Sequence, residues 1–134
     1  MDFENVLHRP INHALFAVLD VETTGLVAKR DRVIEVAVAL MKDGVVEDRF
    51  ESFVNPGRKV PGEITKLTGI ADEDVEHAPY FEEIASELVR YLDDAVFVAH
   101  NAPFDLKFLR AEFARAGVEP PPQPRLCTLR LAKR

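Results

Sequence analysis

Apolar and polar residues are arranged along the first half of the chain in patterns that predict β-strands. Residues 14–21, ALFAVLDV, form a near-continuous apolar run, which is typical of a strand buried on both faces. Residues 32–44 alternate, so that odd-numbered and even-numbered positions face opposite sides of a second strand. Asp43 and Gly44 predict a tight hairpin turn into a third strand at residues 45–55. These three strands predict an antiparallel meander.

Helical patterns dominate the second half of the chain. Residues 62–67 predict one short helical turn within a segment rich in proline and glycine. Residues 78–94 carry apolar side chains at the i, i+3, i+4 spacing of an amphipathic helix. Residues 95–100 predict a short buried strand, and residues 101–117 predict a helix with Asn101 as its N-cap. Strands and helices that alternate after a meander predict an α/β fold with a mixed sheet and flanking helices.

Composition and charge narrow the class of protein. The 134 residues suit one domain with a sizeable core, since 47% of them are hydrophobic. We divide the chain into a lead-in at residues 1–13 and a domain at residues 14–134. The net charge of −6 argues against coating nucleic acid by bulk electrostatics, but it allows a nuclease whose site carboxylates hold metal. Cys127 is the single cysteine, and no stretch approaches the roughly 20 apolar residues of a membrane span. We therefore expect a soluble, cytoplasmic protein with no membrane partner.

Three carboxylates are predicted to converge where two neighbouring strands end. Asp20 and Glu22 are two residues apart on a strand, so their side chains leave the same face. Asp105 lies in the first turn of the helix that follows the strand at residues 95–100. Carboxylates brought together at adjacent strand ends repel one another unless cations neutralise them. Their hard oxygen atoms suit two Mg²⁺ or Mn²⁺ ions, an arrangement used for in-line phosphodiester cleavage.

Each carboxylate also has a simpler explanation when it is taken by itself. Asp20 and Glu22 can form a solvated strand-end pair, with Arg30 or Arg32 as an ion-pair partner. Asp105 can serve only to compensate the dipole of its helix. The convergence of all three carboxylates is what favours a metal site.

Three segments resemble motifs of a known enzyme family. LDVETTGL at residues 19–26 and VAHNAPFDLKFL at residues 98–109 resemble the first two motifs of the DEDD 3′→5′ exonucleases. ITKLTGIADEDV at residues 64–75 resembles the segment that the family carries between those motifs. The chain is most similar to the proofreading type related to the epsilon subunit of bacterial DNA polymerase III, and the resemblance covers about residues 14–134. It implies a ribonuclease-H-like fold, which agrees with the order of elements predicted above.

The resemblance implies a role for each matching residue. Asp20 resembles the acid that bridges both metal ions, Glu22 a ligand of the metal beside the nucleophile, and Asp105 the acid that holds the second metal. The positions that match residues around the terminal nucleotide are Thr23, Thr24, Gly25, Leu26, Ile64, Thr68, Asn101 and Phe104. The implied activity is hydrolysis at the 3′ end of single-stranded or frayed DNA, in proofreading or repair. A DNA polymerase subunit or a fused domain is the implied partner.

The chain departs from the family in one respect. The family's third motif carries a His that activates water and a fourth Asp, whereas residues 106–134 contain no His and no Asp. His8, His13, His77 and His100 do not match that motif. The simplest interpretation is an exonuclease domain truncated at its C-terminus. The alternatives are a catalytically inactive module that binds nucleic-acid ends or a polymerase, and a metal-dependent phosphoesterase for small nucleotides.

Overall fold

A computed structural model describes residues 14–121 and the backbone of residues 125–127. The strands are β1 (Phe16–Thr23), β2 (Val33–Lys42), β3 (Val45–Phe53), β4 (Val96–Ala99) and β5 (Arg125–Cys127). The helices are α1 (Gly62–Thr68), α2 (Asp72–Val75), α3 (Phe81–Leu92) and α4 (Ala102–Ala116). The predicted lead-in at residues 1–13, with His8 and His13, and the chain from residue 128 onward lie outside the described residues.

The strands form one mixed sheet in the order β3-β2-β1-β4-β5. β1 pairs with β2 and β2 pairs with β3 in antiparallel fashion, which confirms the predicted meander. β4 runs parallel to β1, and β5 runs parallel to β4. The sheet is thus the mixed α/β arrangement that the sequence predicts, and the two strands expected to be neighbours are neighbours.

Local sequence explains where the elements turn and end. Both residues of the β2–β3 turn have positive φ, 53° at Asp43 and 76° at Gly44, as a two-residue hairpin requires. Helix α4 ends at Gly117, whose φ of 71° places it in the left-handed region. Asn101 occupies the N-cap position of α4, but its side chain makes no capping hydrogen bond. The short helix α2 was not predicted, because a four-residue helix carries too little periodicity to detect.

The main hydrophobic core lies between the sheet and helices α3 and α4. Leu19 and Phe97 point into it from β1 and β4, and Leu88 joins them from α3. The rings of Phe81 and Phe113 meet edge to face with centroids 5.3 Å apart, which fastens α3 to α4. A smaller cluster around Ile34 packs against the segment that contains α1 and α2.

Among the described residues, neither α3 nor α4 covers the opposite face of the sheet, which we call the open face, and this corrects the prediction that β1 is buried on both faces. Burial along β1 alternates: Ala17, Leu19 and Val21 face the core, whereas Val18 and Asp20 are exposed. The near-continuous apolar run of this strand suggested helices on both sides of the sheet, but α3 and α4 both pack on the core side. The carboxylates of β1 therefore leave the open face.

None of the helices within residues 14–121 combines the length and the apolarity that a crossing of the lipid bilayer requires.

Candidate active site

The carboxylates of β1 stand on the open face of the sheet, near the end of the strand. Glu22 lies directly opposite Glu35 in the antiparallel ladder with β2, and Asp20 lies opposite Ala37. Side chains of directly paired residues share a face, with Cβ atoms about 5 Å apart. The carboxylates of Glu22 and Glu35 therefore repel each other, and these residues give the site negative charge in addition to that of Asp105.

Asp105 reaches this site from the first turn of α4 and is buried, with 4% of its surface exposed. The parallel ladder between β1 and β4 ends at the pair Val18 and Val98, so α4 begins beside the last part of β1. A backbone hydrogen bond from Val21 reaches the Asp105 carboxyl group. The three predicted carboxylates are thereby placed at the same end of β1.

Burial and neighbouring charge raise the pKa of Asp105 to about 6. Burial is the largest cause, and the charge of Asp20 comes next, with a smaller contribution from Glu22. Backbone hydrogen bonds from Val21 and from Asp105 itself act in the opposite direction, because they stabilise the ionised carboxylate. The raised pKa of Asp105 therefore reflects its burial first, and the negative charges of Asp20 and Glu22 after it.

The pKa of Glu22 is also raised, first by burial and then by the charges of Asp20 and Glu35. Burial raises the pKa of Glu35 as well, and the charges of Glu51 and Asp20 add to it. The acidic site thus extends across three strands, since Glu51 lies on β3. Electrostatic repulsion inside it is mutual, which is the condition under which a bound cation is favoured.

Neither arginine proposed as a simple ion-pair partner serves that purpose. Arg30 pairs with Asp31 at 3.8 Å, and Arg32 pairs with Glu112 at 2.9 Å. Asp20 and Glu22 form no ion pair in the part of the chain that the structure describes. The explanation of these carboxylates as an ion-paired strand end is therefore wrong.

The carboxylates of Asp20, Glu22 and Asp105 are ligands that suit hard divalent cations, although they do not lie close enough together to coordinate one ion. Among residues 14–121, no three His, Cys, Asp or Glu side chains are grouped closely enough to hold an ion as they stand. The charge of Asp20 nevertheless raises the pKa of Glu22 and of Asp105, and all three residues offer carboxylate oxygens. Such oxygens are the ligands that Mg²⁺ and Mn²⁺ prefer.

The loop after β1 is organised around its own polar side chains. The Thr23 hydroxyl donates to the carbonyl of Gly25 at 2.6 Å, and the Thr24 hydroxyl lies 3.3 Å from Asp31 Oδ1. The Asp31 carboxylate also accepts the backbone N–H of Val27 at 3.0 Å. A Cβ at Gly25 would lie 2.4 Å from Asp31 Oδ2, so a larger residue there would displace the Asp31 carboxylate from its hydrogen bonds.

Leu26 stands at the surface of this loop with 83% of its area exposed. No backbone hydrogen bond involves the N–H of Gly25 or of Leu26 within residues 14–121. The loop thus presents an apolar side chain and two backbone donors next to the carboxylates of β1.

The remaining predicted contact residues are spread over two segments. Thr68 donates its hydroxyl to the carbonyl of Ile64 at 2.8 Å and accepts the N–H of Ile70 at 3.1 Å, so its polar capacity is used inside the segment. Ile64 is half-buried and packs on the smaller cluster around Ile34. Phe104 is half-buried, with its ring 4.9 Å from that of Phe108, whereas Asn101 is exposed. None of these contacts joins the four residues to the carboxylates.

A shallow cavity of about 430 Å³ lies on the open face beside Asp20. Its lining combines small apolar residues with polar ones from β1, β2, β3 and β4, among them Asp20, Arg49, Glu51, Val98 and His100. His100, which directly follows β4, lines this cavity together with Asp20 and Glu51.

Two features of the site were missed by sequence reasoning. Glu35 was placed on a strand face, but the ladder that sets it opposite Glu22 is a tertiary property. Glu112 was not singled out from the sequence, yet it is buried. A glutamate inside an apolar strand such as VIEVAVA is a local signal that could have identified Glu35. No comparable local signal exists for Glu112.

Comparisons with known proteins agree with this architecture. The family model RNase_T, described as an exonuclease, matches residues 17–134. The chain is 42% identical over 129 residues to the PolC-type DNA polymerase III of Bacillus cereus, covering 96% of this chain and 9% of that protein. It is 40% identical over 124 residues to the 3′-5′ exonuclease DinG of Bacillus subtilis, covering 92% of this chain and 13% of that protein. The chain thus spans about a tenth of the length of the curated relatives it matches.

Among solved structures, E. coli exonuclease I in complex with a dT13 oligonucleotide superposes with a TM-score of 0.80 at 17% identity. The alignment covers 90% of this chain and 29% of that one. At this identity the likeness establishes the shared fold, which is ribonuclease-H-like.

Proposed function

The chain belongs to the exonuclease family that the RNase_T model describes, and on this premise we propose that it is a two-metal-dependent 3′→5′ exonuclease domain. The observation that carries the proposal is the position of Asp105, a buried acid in the first turn of α4 that lies beside Asp20 and Glu22 at the end of β1. Three acids that face the same end of a central strand have a direct explanation in metal binding. We propose residues 14–134 as the exonuclease segment.

In this proposal Asp20, Glu22 and Asp105 hold two Mg²⁺ or Mn²⁺ ions. The ions, when bound, would lower the pKa of an attacking water and stabilise the charge that develops on the phosphate. The backbone hydrogen bond from Val21 holds the Asp105 carboxyl beside β1 before any cation arrives. Asp20 is exposed on the open face and therefore remains accessible to a phosphate that approaches from that side.

The loop after β1 would bind the terminal nucleotide. Gly25 and Leu26 offer backbone N–H groups to a phosphate or sugar, and the exposed Leu26 side chain offers an apolar surface to the last base. Thr23 and Thr24 shape the loop, because their hydroxyls are already bonded within it. Ile64, Thr68, Asn101 and Phe104 complete the proposed substrate path, as the family resemblance implies.

The proposed substrate is the 3′ end of single-stranded or frayed DNA. The chain carries a net charge of −6, which is unfavourable for tracking an intact duplex. Unstacked bases are the natural partners of exposed apolar side chains such as Leu26. Proofreading or repair beside a DNA polymerase is the proposed context, since the relatives include PolC-type DNA polymerase III.

For residues 1–134 taken by themselves, one observation favours a second candidate, a module that binds nucleic-acid ends without cleaving them. Residues 106–134 contain no histidine and no aspartate that could serve as general base or fourth ligand. A general base typically contributes about 10²–10⁴-fold to a hydrolytic rate. We therefore expect the 134-residue chain by itself to cleave slowly.

The test measures binding and cleavage separately. The melting temperature of the wild-type chain should rise with millimolar Mn²⁺, because a ligand that binds only the native state stabilises it, and Asp20→Asn should abolish the rise. Release of nucleotides from a 5′-labelled linear oligonucleotide is compared with a closed circular strand, which has no 3′ end. A rise in melting temperature with Mn²⁺ but no release of nucleotides supports the binding module, whereas the absence of both a response to Mn²⁺ and release refutes the two-metal exonuclease.

A further inference from the structure

Helix α4 carries a second acid that the proposed metal site does not use. Glu112 is buried, with 1% of its surface exposed. Its carboxylate accepts the backbone N–H of Val33 at 2.9 Å and pairs with the Arg32 guanidinium at 2.9–3.1 Å. An isolated charge buried to this extent would be very costly, so the hydrogen bonds and the ion pair are what make the burial possible.

Arg115, one turn later on α4, extends this contact. Its Nη1 lies 3.4 Å from Glu112 Oε1. Its Nη2 donates to the carbonyl of Ala28 at 2.7 Å and lies 3.3 Å from the carbonyl of Lys29. Both carbonyls belong to the loop of residues 24–32, which connects β1 to β2. Helix α4 thus holds this loop at two places.

Hydrogen bonds within residues 24–32 also stabilise the conformation of the loop. The contacts with α4 therefore restrain the loop as one unit. At its base, Thr24 N–H donates to the Arg32 carbonyl at 2.9 Å, and Arg32 N–H donates to the Thr24 hydroxyl at 3.0 Å. Asp31 N–H donates to the carbonyl of Val27 at 2.8 Å, which closes the tip. Arg58 donates to the carbonyl of Arg30 from outside the loop. Glu112 therefore binds the base of the loop through Arg32, and Arg115 binds its tip through the carbonyls of Ala28 and Lys29.

The same helix positions Asp105. Glu112 follows Asp105 by seven residues, which is two helical turns and about 10 Å along the axis, so both acids lie on one buried face. Asp105 is joined to β1 through Val21, and Glu112 is joined to β2 through Val33. One rigid helix thereby sets the distance between the third carboxylate and the loop that bears Leu26.

We propose that Arg32, Glu112 and Arg115 are positioning residues for substrate binding. They hold the loop of residues 24–32 in register with Asp105, so that the loop and the carboxylates engage the same terminal nucleotide. The inference rests on the proposed function, because it assigns the loop to the 3′ end. It predicts that loss of the contacts between α4 and the loop weakens binding of a 3′ end, while the metal site stays intact.

Arg115→Met tests this with Arg110→Met as a matched control. Both arginines lie on α4, and both changes remove one positive charge from a molecule that binds an anion. Arg110 is exposed and forms no ion pair or side-chain hydrogen bond within residues 14–121. Arg115→Met leaves Asp105 and the Glu112–Arg32 pair in place, so we expect both variants to fold. Arg115→Lys keeps the charge but donates from one ammonium group and should restore binding only in part.

Three measurements separate positioning from stability. Amide hydrogen exchange in residues 24–32 should be about tenfold faster in Arg115→Met than in Arg110→Met, because charge-assisted hydrogen bonds to the loop are lost. Affinity for a linear oligonucleotide with a free 3′ end should fall about fivefold or more beyond the loss in the control. The rise in melting temperature with Mn²⁺ should be equal in both variants.

Equal oligonucleotide affinities in the two arginine variants would overturn the inference, even if the loop exchanged faster, because Arg115 would then only stabilise the fold. Equal exchange rates would overturn it as well. If the wild-type chain binds neither Mn²⁺ nor a 3′ end, the proposed function fails instead, and the exchange comparison still decides whether α4 holds the loop.

Discussion

Asp105→Asn should make the metal-free protein more stable at neutral pH, although it removes a proposed metal ligand. Asparagine keeps the size of the side chain and an oxygen that can accept the hydrogen bond from Val21. It removes only the negative charge, which burial and the neighbouring Asp20 disfavour. The perturbation therefore relieves repulsion without creating a cavity.

The magnitude follows from the raised pKa of Asp105. A rise from 3.8 to about 6 corresponds to about 3 kcal/mol at 1.36 kcal/mol per pKa unit. Water at the open edge of the site screens part of this, so we expect about 1–3 kcal/mol. Because the folded-state pKa is raised, the stability contributed by the protonated acid is complete below about pH 4 and is lost as the pH rises through 6. The variant should exceed wild type at pH 7.5 and match it near pH 4.

Thermal and denaturant unfolding in EDTA at a series of pH values between 4 and 7.5 measures this difference. Asp93→Asn is the control, because Asp93 is exposed and follows α3 at the opposite end of the sheet. A surface change of this kind alters the free energy of unfolding by about 0.5 kcal/mol or less. Saturating Mn²⁺ should reverse the order at pH 7.5, because wild type then gains stability and the variant does not. A variant no more stable than wild type at pH 7.5 without metal would refute the account of Asp105.

Three further outcomes are expected. Asp20→Asn should leave the fold intact and abolish metal-dependent nucleotide release, which circular dichroism and the oligonucleotide assay check together; retained release would place the site elsewhere. Glu35→Gln should raise the melting temperature without metal at pH 7.5, and its difference from wild type should disappear as the pH falls, because burial and the charge of Glu51 raise the pKa of Glu35. The same difference in melting temperature at every pH would contradict this. Gly25→Ala should destabilise the loop by about 1–3 kcal/mol in denaturant unfolding, since its Cβ would meet Asp31 at 2.4 Å, and an unchanged unfolding midpoint would show that the loop relaxes freely.

The amino-acid sequence by itself determined the features that depend on local pattern. Alternation placed β2 correctly, and Asp43 with Gly44 predicted the hairpin turn, because a two-residue period and a pair of positive φ angles are properties of adjacent residues. The spacing of Asp20 and Glu22 put both on one face for the same reason. The resemblance of three short motifs then identified the family, which the match over residues 17–134 confirms.

Only the tertiary structure decided which face of β1 is open and which residues meet across the sheet. The apolar run of β1 did not distinguish a strand covered on both sides from one covered on its core side, because periodicity carries no information about what packs on it. The pairing of Glu22 with Glu35 depends on strand register. The contact between Arg32 and Glu112 joins residues 80 positions apart, and a charge buried by so distant a partner leaves no local pattern in the sequence.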